Sequence, residues 1–408
     1  MVISRSRWNV ACHLLDGVLF FAALMLFSIE QVIPKMIADL SERALFLGLV
    51  PLIWHLGMLL PQVFYVKKVE GLAYKKPTVF WCAFIQRTGW LVFLLSLYLR
   101  WEPAFTLTVF FICLAVSSLG TGLVIPVWTD WYAKTVPANV WGRLLGMRRA
   151  LPGVLGIGLG GLIRFIMNSL PAPERYRLLL ILALVFYVLA LVCVLLVRED
   201  RHEGLPNHSG TTWKDYFRDL AAILFRRRDF RIFVLASILV TVPLTVAVTF
   251  LTRYGLTYPG VEDGVIGTFT MVLYPLVGVG GLVGGMISDR MGVIVPFRLV
   301  PLFIMAATGM ALASAHPAVV STAWGLTGFA LGVRMVIMLP AVFRFASPHR
   351  RPSYTALSFT TIGLASAAVP PLLGLMIDAG ILEFRHVFAL CGLLAFFGWL
   401  LFLRMPSP

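Results

Sequence analysis

Asp16, Arg87 and Arg334 each sit inside a long apolar run, where a charge is costly and marks a functional candidate. Asp16 can carry a proton, because burial favours the neutral acid over the carboxylate. It also stands only about two turns inside its run, within reach of lipid headgroups. Arg334 can grip an anionic group on a solute or close a charge pair. Arg87 has the further option of donating to helix carbonyls or to a partner acid. Thr241, Thr245 and Thr249 recur at every fourth position and make one polar stripe on a helix. That stripe either lines a cavity or bonds back to its own backbone. Ser117, Ser118 and Thr121 offer hydroxyls in another run, while His13, His55, Gln62 and Gln86 are polar positions without a clear role.

This is chemistry for holding a solute and moving a proton. The groups that make and break bonds are missing. There is no GxxxxGK[ST] phosphate loop, so ATP hydrolysis on this chain is excluded. A membrane acyl or glycosyl transferase would want clustered acids and histidines in DxD or HxxxxD patterns, and neither occurs; the seven His are scattered. Cys12, Cys82, Cys113, Cys193 and Cys391 all lie in or beside apolar runs with no CxxC pair, and read as small buried hydrophobes. No metal or cofactor is expected.

The elements that position these residues are membrane spans. The chain has 408 residues, 59% hydrophobic and 13% charged, against roughly 25% charged in soluble proteins. Of its 34 Lys and Arg, 24 fall in alternate gaps between about twelve apolar runs or at the run ends that border them, counting both termini; 8 fall at the other gaps and their borders, and 2, Arg87 and Arg334, deep inside runs. The acidic residues divide evenly, nine to each side with Asp16 in a run. Orientation follows Lys and Arg rather than net charge, so the basic-rich gaps and both termini are expected to be cytoplasmic. The net charge of +15 is thereby assigned to an anionic lipid surface and not to nucleic acid. Arg5 and Arg7 before the first run resemble a signal peptide, but the run lacks a placed A-x-A site and reads as an uncleaved helix.

A span needs about 20 mostly apolar residues. The expected spans are 9–32, 44–66, 78–99, 105–132, 144–167 and 176–197, then 230–254, 264–287, 295–315, 318–345, 354–377 and 386–404. Residues 198–229 form a polar central loop. Within it an amphipathic helix starts at Thr211 or Thr212, carries Trp213, Phe217, Leu220 and Leu224 on one face, and closes with Arg226, Arg227 and Arg228. It is expected to lie at the inner membrane interface, docking of a regulator being the other option. The division is therefore 1–197, 198–229 and 230–408. The halves resemble each other: Ser118–Ile125 matches Ala330–Ile337 at four of eight positions, as in a parallel transporter repeat.

Gly285-Met286-Ile287-Ser288-Asp289-Arg290-Met291-Gly292 ends the eighth span. It resembles the G-x-x-x-D-R-x-G loop motif of the major facilitator superfamily, with Val293 and Ile294 where a basic pair is usual. The loop after span two, Glu70 to Lys76 with Lys75 and Lys76, is a degenerate version with Glu in place of Asp. Gly142-Arg143-Leu144-Leu145-Gly146 is similar to the family's R-G-R-x-x-G loop. The resemblance implies an all-α membrane protein of twelve transmembrane helices in two six-helix bundles. It implies that Asp289 and Arg290 latch the halves on the cytoplasmic side, with Asp289 near the start of span five and Glu70 near that of span eleven. It also implies a central cavity lined by spans one, four, seven and ten, which favours Asp16 and Arg334 over Arg87. Glycines 153, 156, 158, 160 and 161 of span five, and 278, 280, 281, 284 and 285 of span eight, would give smooth faces for rocking, with Gly285 allowing close helix approach. The family's proton-linked Arg in span four has no counterpart.

The expected function is secondary active transport of a small solute across a bacterial-type cytoplasmic membrane by alternating access. A mostly apolar cavity favours an amphipathic solute and export, with protons as one coupling ion. Uptake symport of a small organic solute is the alternative, and a transporter-like sensor or a membrane enzyme are lesser ones. The expected partners are the solute, protons and membrane lipids, with the chain acting as a monomer.

Overall fold

The computed structural model describes residues 5–69, 72–99, 101–137, 140–200, 227–346 and 350–405. Residues 211–226 of the expected interfacial helix lie outside them, as does Glu70. The described residues form thirteen helices and no strand. In order they are α1 (Arg5–Leu26), α2 (Val32–Leu40), α3 (Ala44–Val69), α4 (Lys76–Leu97), α5 (Pro103–Thr135), α6 (Trp141–Ser169) and α7 (Glu174–Leu196), followed by α8 (Arg228–Gly255), α9 (Val265–Met291), α10 (Ile294–Ala313), α11 (Pro317–Phe345), α12 (Arg351–Asp378) and α13 (Phe384–Leu403). All but α2 are long and apolar enough to cross a membrane, giving twelve candidate spans. In lipid the backbone must satisfy its own hydrogen bonds, which is why the spans are helices.

α2 departs from the expectation of one first span over 9–32. The helix stops at Leu26, and Ser28 Oγ accepts from the Val32 N–H at 3.2 Å, starting a new helix. α2 is buried along Val32 to Ile37 and is tied down by charge. Asp39 receives Lys35 Nζ at 2.5 Å, the Tyr176 hydroxyl at 2.5 Å and the Arg175 guanidinium.

The chain divides into two compact units, residues 1–42 with 53–208, and residues 43–52 with 209–408. In the first unit, glycines set how closely helices approach. A Cβ on Gly120 of α5 would meet the Gln86 N of α4 at 2.5 Å, and one on Gly122 would meet the Met58 carbonyl of α3 at 2.5 Å. In the second unit α9 lies along α11. A Cβ on Gly332 would overlap the Val277 carbonyl, and one on Gly328 would sit 2.6 Å from the Leu273 carbonyl. Gly120 and Gly332 are matched positions of the internal repeat, and both serve close helix contact. Gly285 does not: its Cβ would meet only Val336, at an ordinary 3.7 Å. The close contact of α9 rests instead on Gly280 and Gly284, because they face α11.

An aromatic core of Phe230, Phe233, Phe297 and Phe402 closes one end of the second unit, with Phe297 and Phe402 stacked at 5.1 Å. Residues 43–52 belong there for a local reason. Asp378, ending α12, accepts the Ala44 and Leu45 N–H groups at 2.6 and 3.0 Å. A Cβ on Gly48 would stand 2.5 Å from the Pro370 carbonyl, and one on Gly374 2.6 Å from that of Ala44.

Candidate solute site

Inside the first unit is a cavity of about 380 Å³ walled by α1, α4, α5, α6 and α7. Asp16 on α1 and Arg148 on α6 meet at its edge. Arg148 Nη2 donates to Asp16 Oδ2 at 2.9 Å, and both side chains are under a tenth exposed. Arg148 also donates to the His13 carbonyl and lies 4.8 Å over the Trp128 ring. It can run across α1 because Gly17 leaves the room; a Cβ there would be 2.5 Å from Arg148 Nε. Asp16 Oδ1 has no partner among the described residues.

Arg87 on α4 lines the same cavity and is 7% exposed. Its Nε donates to the Tyr187 carbonyl at 3.0 Å and its Nη1 to the Ala83 carbonyl at 2.7 Å. No carboxylate lies within 4 Å of it among the described residues. The rings of Tyr187 and Phe20 flank the guanidinium at 5.4 and 6.0 Å, a favourable site for a desolvated cation. Beside it Gln86 Nε2 donates to Thr121 Oγ1 at 2.8 Å, and Thr121 donates to the Ser117 carbonyl. Ser118 is turned away from the cavity and donates to the Ala115 and Ile53 carbonyls.

The second unit holds the other candidates. Arg334 on α11 donates from Nε to Thr241 Oγ1 of α8 at 2.9 Å, and it too has no carboxylate within 4 Å among the described residues. Thr245 and Thr249 bond the carbonyls of Thr241 and Thr245 on their own helix at 3.0 and 2.8 Å. The stripe is thus one polar contact and two back-bonded hydroxyls.

The loop-motif residues divide. Asp289 and Arg290 are exposed at the end of α9. Gly292 caps that helix at φ 82, ψ 159, with its N–H on the Ser288 carbonyl at 3.0 Å; a side chain at that φ would be strained. Arg143 is exposed in the first turn of α6. Lys75 and Lys76 instead start α4, where their backbone N–H groups bind the Glu199 carboxylate at 2.8–3.1 Å. Glu199 also receives Lys134 Nζ at 2.8 Å, and Lys75 Nζ pairs with Asp130. A carboxylate at a helix N-terminus is favourably placed against the helix dipole.

The family model for the Major Facilitator Superfamily matches residues 15–325 and 276–408. The chain belongs to that superfamily. Its fold is shared by solved transporters at low identity. A mutant of the nucleoside transporter NupG superposes with TM-score 0.74 at 12% identity, over 97% of this chain and 99% of that one. A D-xylose-proton symporter gives 0.69 at 14%, over 96% and 97%. The E. coli fucose:proton symporter FucP gives 0.58 at 16%, over 98% of each. No curated protein matches in sequence. Membership makes this chain a multi-pass membrane transporter and not an enzyme.

Within this superfamily member, sequence reasoning overlooked Arg148 by grouping it with the cytoplasmic-side cations. It stands about two turns inside α6 and is buried. The available signal was Asp16-Gly17, an acid in need of a partner beside a residue small enough to admit one. Gln86 and His13 also gain roles. Gln86 lines the cavity, and His13 Nε2 shares a 2.8 Å hydrogen bond with Thr135 between the rings of Trp131 and Tyr132.

Proposed function

We propose that this chain is a secondary active transporter that carries a small organic solute across the cytoplasmic membrane by alternating access, coupled to protons through the Asp16–Arg148 pair. One observation carries the coupling: an ion pair joins two helices on a cavity wall and leaves one Asp16 oxygen uncommitted. A proton on Oδ1 cancels the charge that holds Arg148 and weakens the tie between α6 and α1, leaving the bond to the His13 carbonyl. Charges inside spans commonly mark proton relays. Both termini and the Lys/Arg-rich gaps face the cytoplasm in this reading, following the charge asymmetry. Asp289 and Arg290, exposed in the last turn of α9, then act as the cytoplasmic latch, together with Glu70 and Arg143.

Export is the first reading of direction, because the cavity wall is mainly apolar. Uptake symport is the second, favoured by the xylose-proton and fucose:proton symporters among the structural neighbours. The experiment uses purified protein in proteoliposomes with an imposed pH gradient. Asp16→Asn is expected to abolish gradient-driven accumulation while solute exchange down its own gradient continues. Accumulation by Asp16→Asn equal to the unaltered protein would remove Asp16 from coupling. Inside-out and right-side-out vesicles separate export from uptake.

A further inference from the structure

We propose that the first unit's cavity takes a solute with a single negative charge and an apolar or aromatic body, and that the Arg87 guanidinium holds the charge. This rests on the transport reading above and names its substrate class. Charge on the cavity wall leads to it. Asp16 pairs with Arg148 at 2.9 Å and its charge also reaches Arg87, but one carboxylate faces two guanidiniums, so the described lining keeps a net positive charge and Arg87 has no ion-pair contact of its own. The carbonyls of Tyr187 and Ala83 hold Nε and Nη1 and fix the plane of the fork. Neutral carbonyls orient a cation without cancelling it. Nη2 takes no partner among the described residues. A clamp that only joined α4 to α7 would need no such free arm.

The rest of the wall selects the body of the solute. Phe20, Phe21, Val79, Val124, Ile125 and Trp128 present apolar and aromatic surface. The hydroxyl protons of Thr121 and Thr129 are committed to carbonyls of their own helix, and Gln86 Nε2 is committed to Thr121. A neutral polyol would therefore find few free donors, and a cation would meet a wall of net positive charge. At about 380 Å³ the space suits a compact molecule, toward the small end of ligand sites.

The test uses the purified full chain and matched triplets of a carboxylate, its primary amide and the corresponding amine. These are built on phenyl, indolyl and linear six-carbon scaffolds, and binding is read by thermal stabilisation and calorimetry. The expected result is stabilisation by carboxylates alone. Affinity should fall roughly ten- to a hundredfold in Arg87→Gln, the range for a lost charge-assisted hydrogen bond, and should be partly kept in Arg87→Lys. Equal binding of amide or amine, no carboxylate-selective binding on any scaffold, or undiminished affinity in a folded Arg87→Gln would each overturn the proposal. If Arg87→Gln does not fold, the triplets on unaltered protein and Arg87→Lys decide. Proteoliposome flux separates the two readings. A carboxylate that binds through Arg87 but never crosses upholds the site and sinks the transport reading. A neutral solute that crosses while carboxylates fail to bind does the reverse.

Discussion

Arg148 on α6 donates to Asp16 on α1 at 2.9 Å, across the glycine that follows Asp16 in sequence. Neither charge is where an isolated charge would be stable. Removing two ions from water costs several kcal/mol each, and the pair repays this only with good geometry and further bonds. Here the further partners are the His13 carbonyl and the Trp128 face. Each charge thus depends on the other for its place in the fold.

Arg148→Ala should destabilise the protein by about 3–5 kcal/mol, because Asp16 is left as a buried unpaired charge. The double variant Asp16→Asn/Arg148→Ala should recover much of that loss. Chemical denaturation in micelles of all four members of the cycle measures the coupling. A double variant no more stable than Arg148→Ala would mean that Arg148 acts through packing on Trp128 rather than through the ion pair.

The threonine stripe of α8 should split by function. Thr241→Val removes the acceptor of Arg334 Nε, whereas Thr245 and Thr249 donate only to carbonyls one turn back. Transport by Thr241→Val is expected to drop several-fold, with Thr245→Val and Thr249→Val near the unaltered rate. An equal drop in all three would restore the whole stripe as a solute contact.

Twelve apolar runs of span length were enough to read the architecture, because lipid allows so few backbone solutions. Asp16, Arg87 and Arg334 were legible for the same reason: a charge in such a run stands out. Their partners were not. In sequence Arg148 looks like Arg143, the cation five residues earlier at the end of the preceding gap, and it is the room at Gly17 and the Trp128 ring that let it pack inward. The stop at Leu26 was hidden because residues 9–32 are apolar enough to be read as one span, while the turn that restarts the helix is set by local bonds at Ser28. Which threonine of the stripe faces Arg334 is likewise decided by the crossing of α8 and α11, a tertiary fact without a local signature.

Glycine substitutions on α9 and α11 should differ sharply despite similar sequence surroundings. Gly332→Ala forces a methyl into the Val277 carbonyl and should cost about 1–3 kcal/mol, as overpacking does. Gly278→Ala meets nothing within 4 Å and should be neutral, or stabilising by up to about 1 kcal/mol through helix propensity. Melting temperatures in the same detergent compare them. Similar losses in both would show that the contact of α9 with α11 does not depend on that glycine.

Asp378 offers the last test, because it caps a helix from another helix. The first N–H groups of α3 lack intrahelical partners, and the Asp378 carboxylate takes those of Ala44 and Leu45. Asp378→Ala should cost about 1 kcal/mol, the usual worth of an N-cap, and should speed amide exchange at residues 44–46. Asp378→Asn keeps one carbonyl oxygen and should fall between. The close contacts of Gly48 with Pro370 and of Gly374 with Ala44 remain in both variants, so α3 should stay docked while its first turn frays. Exchange in Asp378→Ala indistinguishable from the unaltered protein would assign the ordering of that turn to glycine packing alone.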